Sequence, residues 1–66
     1  MTVVQERLTT RERQILSLVA QGLGNKEIAS LLNISVDTVK KALKQIYRKL
    51  GVSNRTAAAV CLIREV

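Results

Sequence analysis

The stretch between Ser35 and Gly51 does most to limit what this chain can fold into. Val39, Leu43, Ile46 and Leu50 recur along it, and at about 100° per residue they fall within about 60° of one another, a continuous aliphatic stripe on a helix. On the same wheel Lys40, Lys41, Lys44 and Arg48 occupy an arc of about 100° lying largely opposite that stripe. The segment reads as a helix over 36–50 with one side to bury and one cationic side. Ser35 is placed as its N-cap, and Asp37 sits in the first turn, where a negative charge suits the helix dipole. Gly51 is the residue expected at a left-handed C-terminal stop.

Such a helix needs partners for its stripe, and cap signals supply three more. Thr9 with Glu12 three residues on forms a capping-box pattern, after which Ile15, Leu18 and Val19 keep helical spacing up to Gly22, predicting a helix over about 10–21. Past Gly22-Leu23-Gly24, a short helix over 25–32 turns Ile28, Ala29 and Leu32 inward and closes at Asn33. After Val52 and Ser53, Asn54 can cap a last helix over about 55–64. The expected fold is all-α: a compact four-helix domain with a central helix-turn-helix at 8–66 after a short lead at 1–7. Sixty-six residues allow one domain, and with Tyr47 the sole aromatic residue its core must be aliphatic.

Composition excludes whole classes of chemistry. With no His, one Cys and no clustering of its five acidic residues, the chain can assemble neither a zinc or haem constellation nor a His-based acid–base pair. No metal and no cofactor are expected, and an enzyme is improbable. A lone Cys61, no secretory signal at the start and no apolar run near the roughly 20 residues that cross a bilayer predict a cytoplasmic protein without a membrane partner.

Charge is lopsided. Over residues 1–39, Arg7, Arg11, Arg13 and Lys26 cancel Glu6, Glu12, Glu27 and Asp37, whereas Lys40, Lys41, Lys44, Arg48, Lys49, Arg55 and Arg64 face Glu65 alone, so the whole net charge of +6 lies in the second half. From Lys40 to Arg55 there is no acid at all, as expected of a surface that meets a polyanion. A short helix, a turn of about three residues and a second helix with a cationic outer side is the arrangement by which helix-turn-helix domains place a recognition helix in the major groove. Stacking Lys40, Lys44 and Arg48 at i, i+4 costs some tenths of a kcal/mol per pair unless phosphate neutralises them. A solvated basic face and a membrane-surface helix are the competing readings, the second weakened because the stripe is needed for the core. Duplex DNA is preferred over RNA, since one aromatic residue offers no platform for unpaired bases.

Leu8-Thr9-Thr10-Arg11-Glu12-Arg13, Gly22-Leu23-Gly24-Asn25-Lys26-Glu27-Ile28-Ala29, Ser35-Val36-Asp37-Thr38-Val39-Lys40, and Lys49-Leu50-Gly51-Val52 followed by Asn54-Arg55-Thr56 together resemble the LuxR/NarL/FixJ type of DNA-binding domain, in the same order and spacing over about 8–63. The resemblance implies a bacterial transcription regulator whose helices two and three are the helix-turn-helix. It implies that Thr38, Val39 and Lys40 enter the major groove, with Lys40, Lys41 and Lys44 facing bases and nearby phosphates, Ser35 at the helix cap in the contact set, and Thr38 a phosphate donor. Asn25 and Lys26 match backbone-clamping positions, where free N–H groups and a cation suit a phosphate. Arg48, Lys49 and Arg55 are further phosphate partners by charge and place, although Lys49 points about 100° away from Arg48, a direction that also serves helix packing. The sequence departs from the family at Ala42, where a His is usual, and at Gly24, where Ser or Thr is usual. Asp37, on the basic arc, either restricts the accepted bases or serves the dipole.

Ala57, Ala58, Ala59, Val60, Cys61, Leu62 and Ile63 cover nearly every direction around the last helix, more apolar surface than a small domain hides on one side. A homodimer on DNA through Ala57, Val60, Cys61 and Arg64 is expected, deep packing within the monomer being the alternative. Regulation would act by recruiting or blocking RNA polymerase. Two other functions share the basic helix: an adaptor binding an acidic protein partner, and a sigma-factor promoter-reading domain, which should lack the Lys49-Leu50-Gly51-Val52 junction and the final apolar helix.

Overall fold

A computed structural model describes residues 8–63, which form four helices: α1 (Thr10–Ala20), α2 (Asn25–Leu32), α3 (Val36–Leu50) and α4 (Arg55–Ile63). The lead at 1–7 and Arg64, the last residue of the expected fourth helix, lie outside the described residues. Among the described residues there is no strand, and no helix is long and apolar enough to cross a membrane.

Each helix begins where its cap chemistry says it should. Thr9 and Glu12 form the reciprocal box: the Thr9 N–H donates to Glu12 Oε1 at 2.9 Å and the Glu12 N–H to Thr9 Oγ1 at 3.1 Å. Ser35 Oγ accepts the Thr38 N–H at 3.0 Å, and Asn54 Oδ1 accepts the Ala57 N–H at 2.8 Å. At α2 the cap residue is Gly24, so only the returning half exists, its own N–H donating to Glu27 Oε1 at 2.6 Å.

Three helix ends share one termination geometry. Gly22, Asn33 and Gly51 adopt the left-handed region at φ 92°, 58° and 70°. The next N–H then reaches back five residues in each case, from Leu23 to the Leu18 carbonyl, Ile34 to Ala29 and Val52 to Tyr47, at 3.0 to 3.1 Å. These bonds satisfy carbonyls the helices would otherwise leave open. The connection between α2 and α3 is thereby cut to Asn33-Ile34-Ser35.

The core follows the stripe on α3. Val39, Leu43, Ile46 and Leu50 are all buried and meet Ile15, Leu16 and Val19 of α1, Ile28 and Ala29 of α2, Ala58 of α4 and Leu8. α1 packs on α4 and α3, and α2 packs on α3. One expectation for α1 is corrected: Leu16 is fully buried and Leu18 only partly. The cause is that α1 lies between α3 and α4, so its buried face runs through Glu12, Ile15, Leu16 and Val19, leaving Leu18 at the edge toward Leu32.

Candidate nucleic-acid interface

The outer side of α3 carries Lys40, Lys41, Lys44 and Arg48, all exposed, while the opposite side is core. The two-sided helix anticipated from spacing is therefore present, and among the described residues no neighbouring element covers its lysines. Exposed Thr38 sits with Ser35 in the cap, their hydroxyl oxygens 2.8 Å apart, at the N-terminal end of α3. Lys41 and Asp37 pair at 3.4 Å with side chains 80% and 75% exposed, a contact that solvent screening leaves nearly without energetic value.

Lys40 and Lys44 also border a cleft of about 250 Å³ together with Asn25, Leu43, Tyr47 and Arg55. The structure thus brings residues from the start of α2, the middle of α3 and the start of α4 onto one cationic concavity. Lys26, exposed in the first turn of α2, stands beside Asn25. Arg55 is held in place: its Nη1 donates to Asn25 Oδ1 at 2.7 Å and its Nη2 to the Leu23 carbonyl.

Two residues expected at the interface are elsewhere. Val39 has no exposed surface and belongs to the core, because its place in the aliphatic stripe overrides its position between two outward-facing residues. Lys49 turns to the other flank of α3, where its Nζ donates to Glu12 Oε1 at 2.7 Å, so its charge is engaged in packing and not offered to a polyanion. Burial works to raise the Glu12 carboxyl pKa, yet the Lys49 ammonium and the Thr9 amide and hydroxyl together hold it below its ordinary value.

Tyr47 was not anticipated at the interface. The signal was there: it lies three residues after Lys44 and seven after Lys40, spacings that share a helix face. At α4, Ala58 is fully buried, Ala57, Ala59, Cys61 and Leu62 are partly buried, and Val60 and Ile63 remain 41% and 65% exposed. Packing within the monomer therefore uses one side of α4 and leaves an apolar edge.

A short helix, a three-residue turn and a second helix with an inner aliphatic and an outer cationic side define a helix-turn-helix domain. Residues 6–62 match the family of bacterial regulatory proteins described as the luxR family. The chain is 48% identical over 58 residues to the nitrate/nitrite response regulator protein NarP of Escherichia coli, covering 88% of this chain and 27% of that protein. It is 53% identical over 55 residues to the transcriptional regulatory protein LiaR of Bacillus subtilis, covering 83% of this chain and 26% of that one. With the nitrate/nitrite response regulator protein NarL of Escherichia coli it shares 48% identity over 59 residues, 89% of this chain and 27% of the relative. The chain belongs to the luxR family, as a helix-turn-helix regulator domain of a DNA-binding, non-enzymatic kind, and it spans about a quarter of the length of these relatives.

Proposed function

We propose that this domain binds duplex DNA sequence-specifically, with α3 lying in the major groove, and that it regulates transcription in the bacterial cytoplasm by recruiting or blocking RNA polymerase. The observation that carries the reading is the division of α3: Val39, Leu43, Ile46 and Leu50 are buried while Lys40, Lys41, Lys44 and Arg48 are exposed on the other side. A helix about 10–12 Å across fits a groove about 12 Å wide. Lys40, Lys41 and Lys44 face bases and adjacent phosphates, and Arg48, Asn25, Lys26, Ser35 and Thr38 contact the backbone. The apolar edge of α4 pairs with a second copy, so that two recognition helices read two half-sites.

Binding to random and selected duplexes across a salt series tests this. About five phosphate neutralisations per domain give a slope of log affinity against log salt near −4 to −5, twice that for a dimer. Affinity that does not change with salt, or equal affinity for every sequence, would overturn sequence-specific recognition.

A further inference from the structure

The cleft at the junction of α2, α3 and α4 has an oriented donor in it. A guanidinium has N–H donors and no acceptor, so the Asn25 atom that meets Arg55 Nη1 at 2.7 Å must be its carbonyl oxygen. That contact leaves Nδ2 as the part of the Asn25 amide still available, and it has no acceptor among the described residues. The second guanidinium arm on the Leu23 carbonyl prevents Arg55 from swinging away. Lys40, Lys44 and Tyr47 border the same cleft, again without polar partners among the described residues. No side chain caps the first amides of α2, because Gly24 has none to offer.

We propose that this cleft seats one phosphodiester group of the DNA backbone, and that Arg55 is a positioning residue which fixes Asn25 as a donor to that phosphate, beside Lys40, Lys44 and Tyr47. The inference rests on the DNA-binding reading above and extends it by naming where a phosphate sits and what aims its neutral donor. Arg55 acts through Asn25: one N–H of each guanidinium arm is turned toward a protein oxygen, so its loss is felt as a misdirected amide. The cleft is concave and cationic, and it lies beside the recognition face, where a strand flanking the groove would pass.

Asn25→Asp is the informative variant. It keeps the acceptor that Arg55 holds and suits the N-terminus of α2, so the fold is retained, while the donor becomes a carboxylate that repels phosphate. Gln14→Glu, an equal charge change in the groove between α1 and α2, is the control. The probe is a duplex selected from a random pool, with each phosphate replaced in turn by a neutral methylphosphonate. On the unmodified duplex Asn25→Asp should bind about tenfold more weakly than Gln14→Glu. At one phosphate per half-site, neutralisation should weaken the wild type but not Asn25→Asp. Arg55→Lys, which keeps the charge but cannot hold both oxygens, should bind severalfold more weakly, and that deficit should vanish on the same neutralised duplex.

The proposal is overturned if Asn25→Asp stays within about twofold of the control, or if no phosphate shows this masking. Wild type that binds no duplex would overturn the DNA-binding reading itself, whereas normal wild-type binding without masking removes the phosphate seat alone. Circular dichroism of each variant confirms that the helices are intact, and Arg55→Lys decides the matter should Asn25→Asp unfold.

Discussion

Lys49 Nζ donates to Glu12 Oε1 at 2.7 Å, tying the last turn of α3 to the first turn of α1 across 37 residues. The same carboxylate oxygen accepts the Thr9 N–H at 2.9 Å, so one buried acid both caps α1 and anchors α3 from behind its cationic side.

That arrangement makes stability depend on pH. The Glu12 carboxyl is held below its ordinary value near 4.5, so the native state binds its proton less readily than the unfolded chain. Its contribution is fully present above the unfolded value and is lost as pH falls through the folded one. The melting temperature should therefore drop on acidification below about pH 4.5. In Glu12→Gln that acid limb should flatten, with the neutral-pH stability lowered by about 1–2 kcal/mol because Lys49 loses its counter-charge at a partly buried site. Thermal unfolding of both proteins from pH 3 to 7 checks it.

The two flanks of α3 should separate stability from DNA affinity. Lys49→Ala should destabilise the fold by about 1–2 kcal/mol, leaving Glu12 buried without its cation, while the salt slope of duplex binding stays unchanged. Lys44→Ala should do the reverse. It should cost about 1–3 kcal/mol at a selected site, and relax specificity at one base pair. Its stability should hold within about 0.5 kcal/mol, since removing it also relieves like-charge crowding with Lys40 and Arg48. Denaturant unfolding alongside a gel-shift series measures both quantities.

Backbone geometry yields opposite predictions at two glycines. Gly51 has φ 70°, and a Cβ there would meet nothing within 4 Å, so Gly51→Ala should lose about 1–2 kcal/mol through conformation alone. Gly24 has ordinary extended angles, φ −86° and ψ 173°, and a Cβ would meet only Glu27 Oε1 at 3.6 Å. Gly24→Ser should then gain a few tenths of a kcal/mol, its hydroxyl accepting an amide of α2 that lacks a cap. Urea denaturation midpoints should move in opposite directions.

Local signals were the legible ones. The caps at Thr9, Ser35 and Asn54, the stops at Gly22, Asn33 and Gly51, and the stripe from Val39 to Leu50 each depend on residues a few positions apart, and each appears in the structure where the pattern places it. What spacing does not encode is which third element a helix face meets. Leu16 is buried because α1 is packed on two sides, and Lys49 finds Glu12 only once α1 and α3 are docked. Val39 illustrates a conflict resolvable from the wheel alone, since membership of the buried stripe precludes contact with a ligand on the opposite face. Charge alone makes Arg55 a phosphate partner, whereas its hydrogen bonds to Asn25 and Leu23 depend on the close approach of α4 to the turn before α2.

The apolar edge of α4 supports a last prediction. Val60 and Ile63 lie three residues apart and share a face, exposed by 41% and 65%, while Ala58 on the other side is fully buried. If that edge pairs two copies on DNA, Val60→Glu should leave the melting temperature of the monomer nearly unchanged, because a surface substitution removes little buried area. It should nevertheless abolish cooperative binding to a duplex carrying two half-sites, since each partner would bring a desolvated charge into the contact. Affinity for a single half-site should be retained, α3 being untouched. Sedimentation of the protein–DNA complex distinguishes one bound copy from two, and a variant that still binds as a cooperative pair would show that the two copies meet elsewhere.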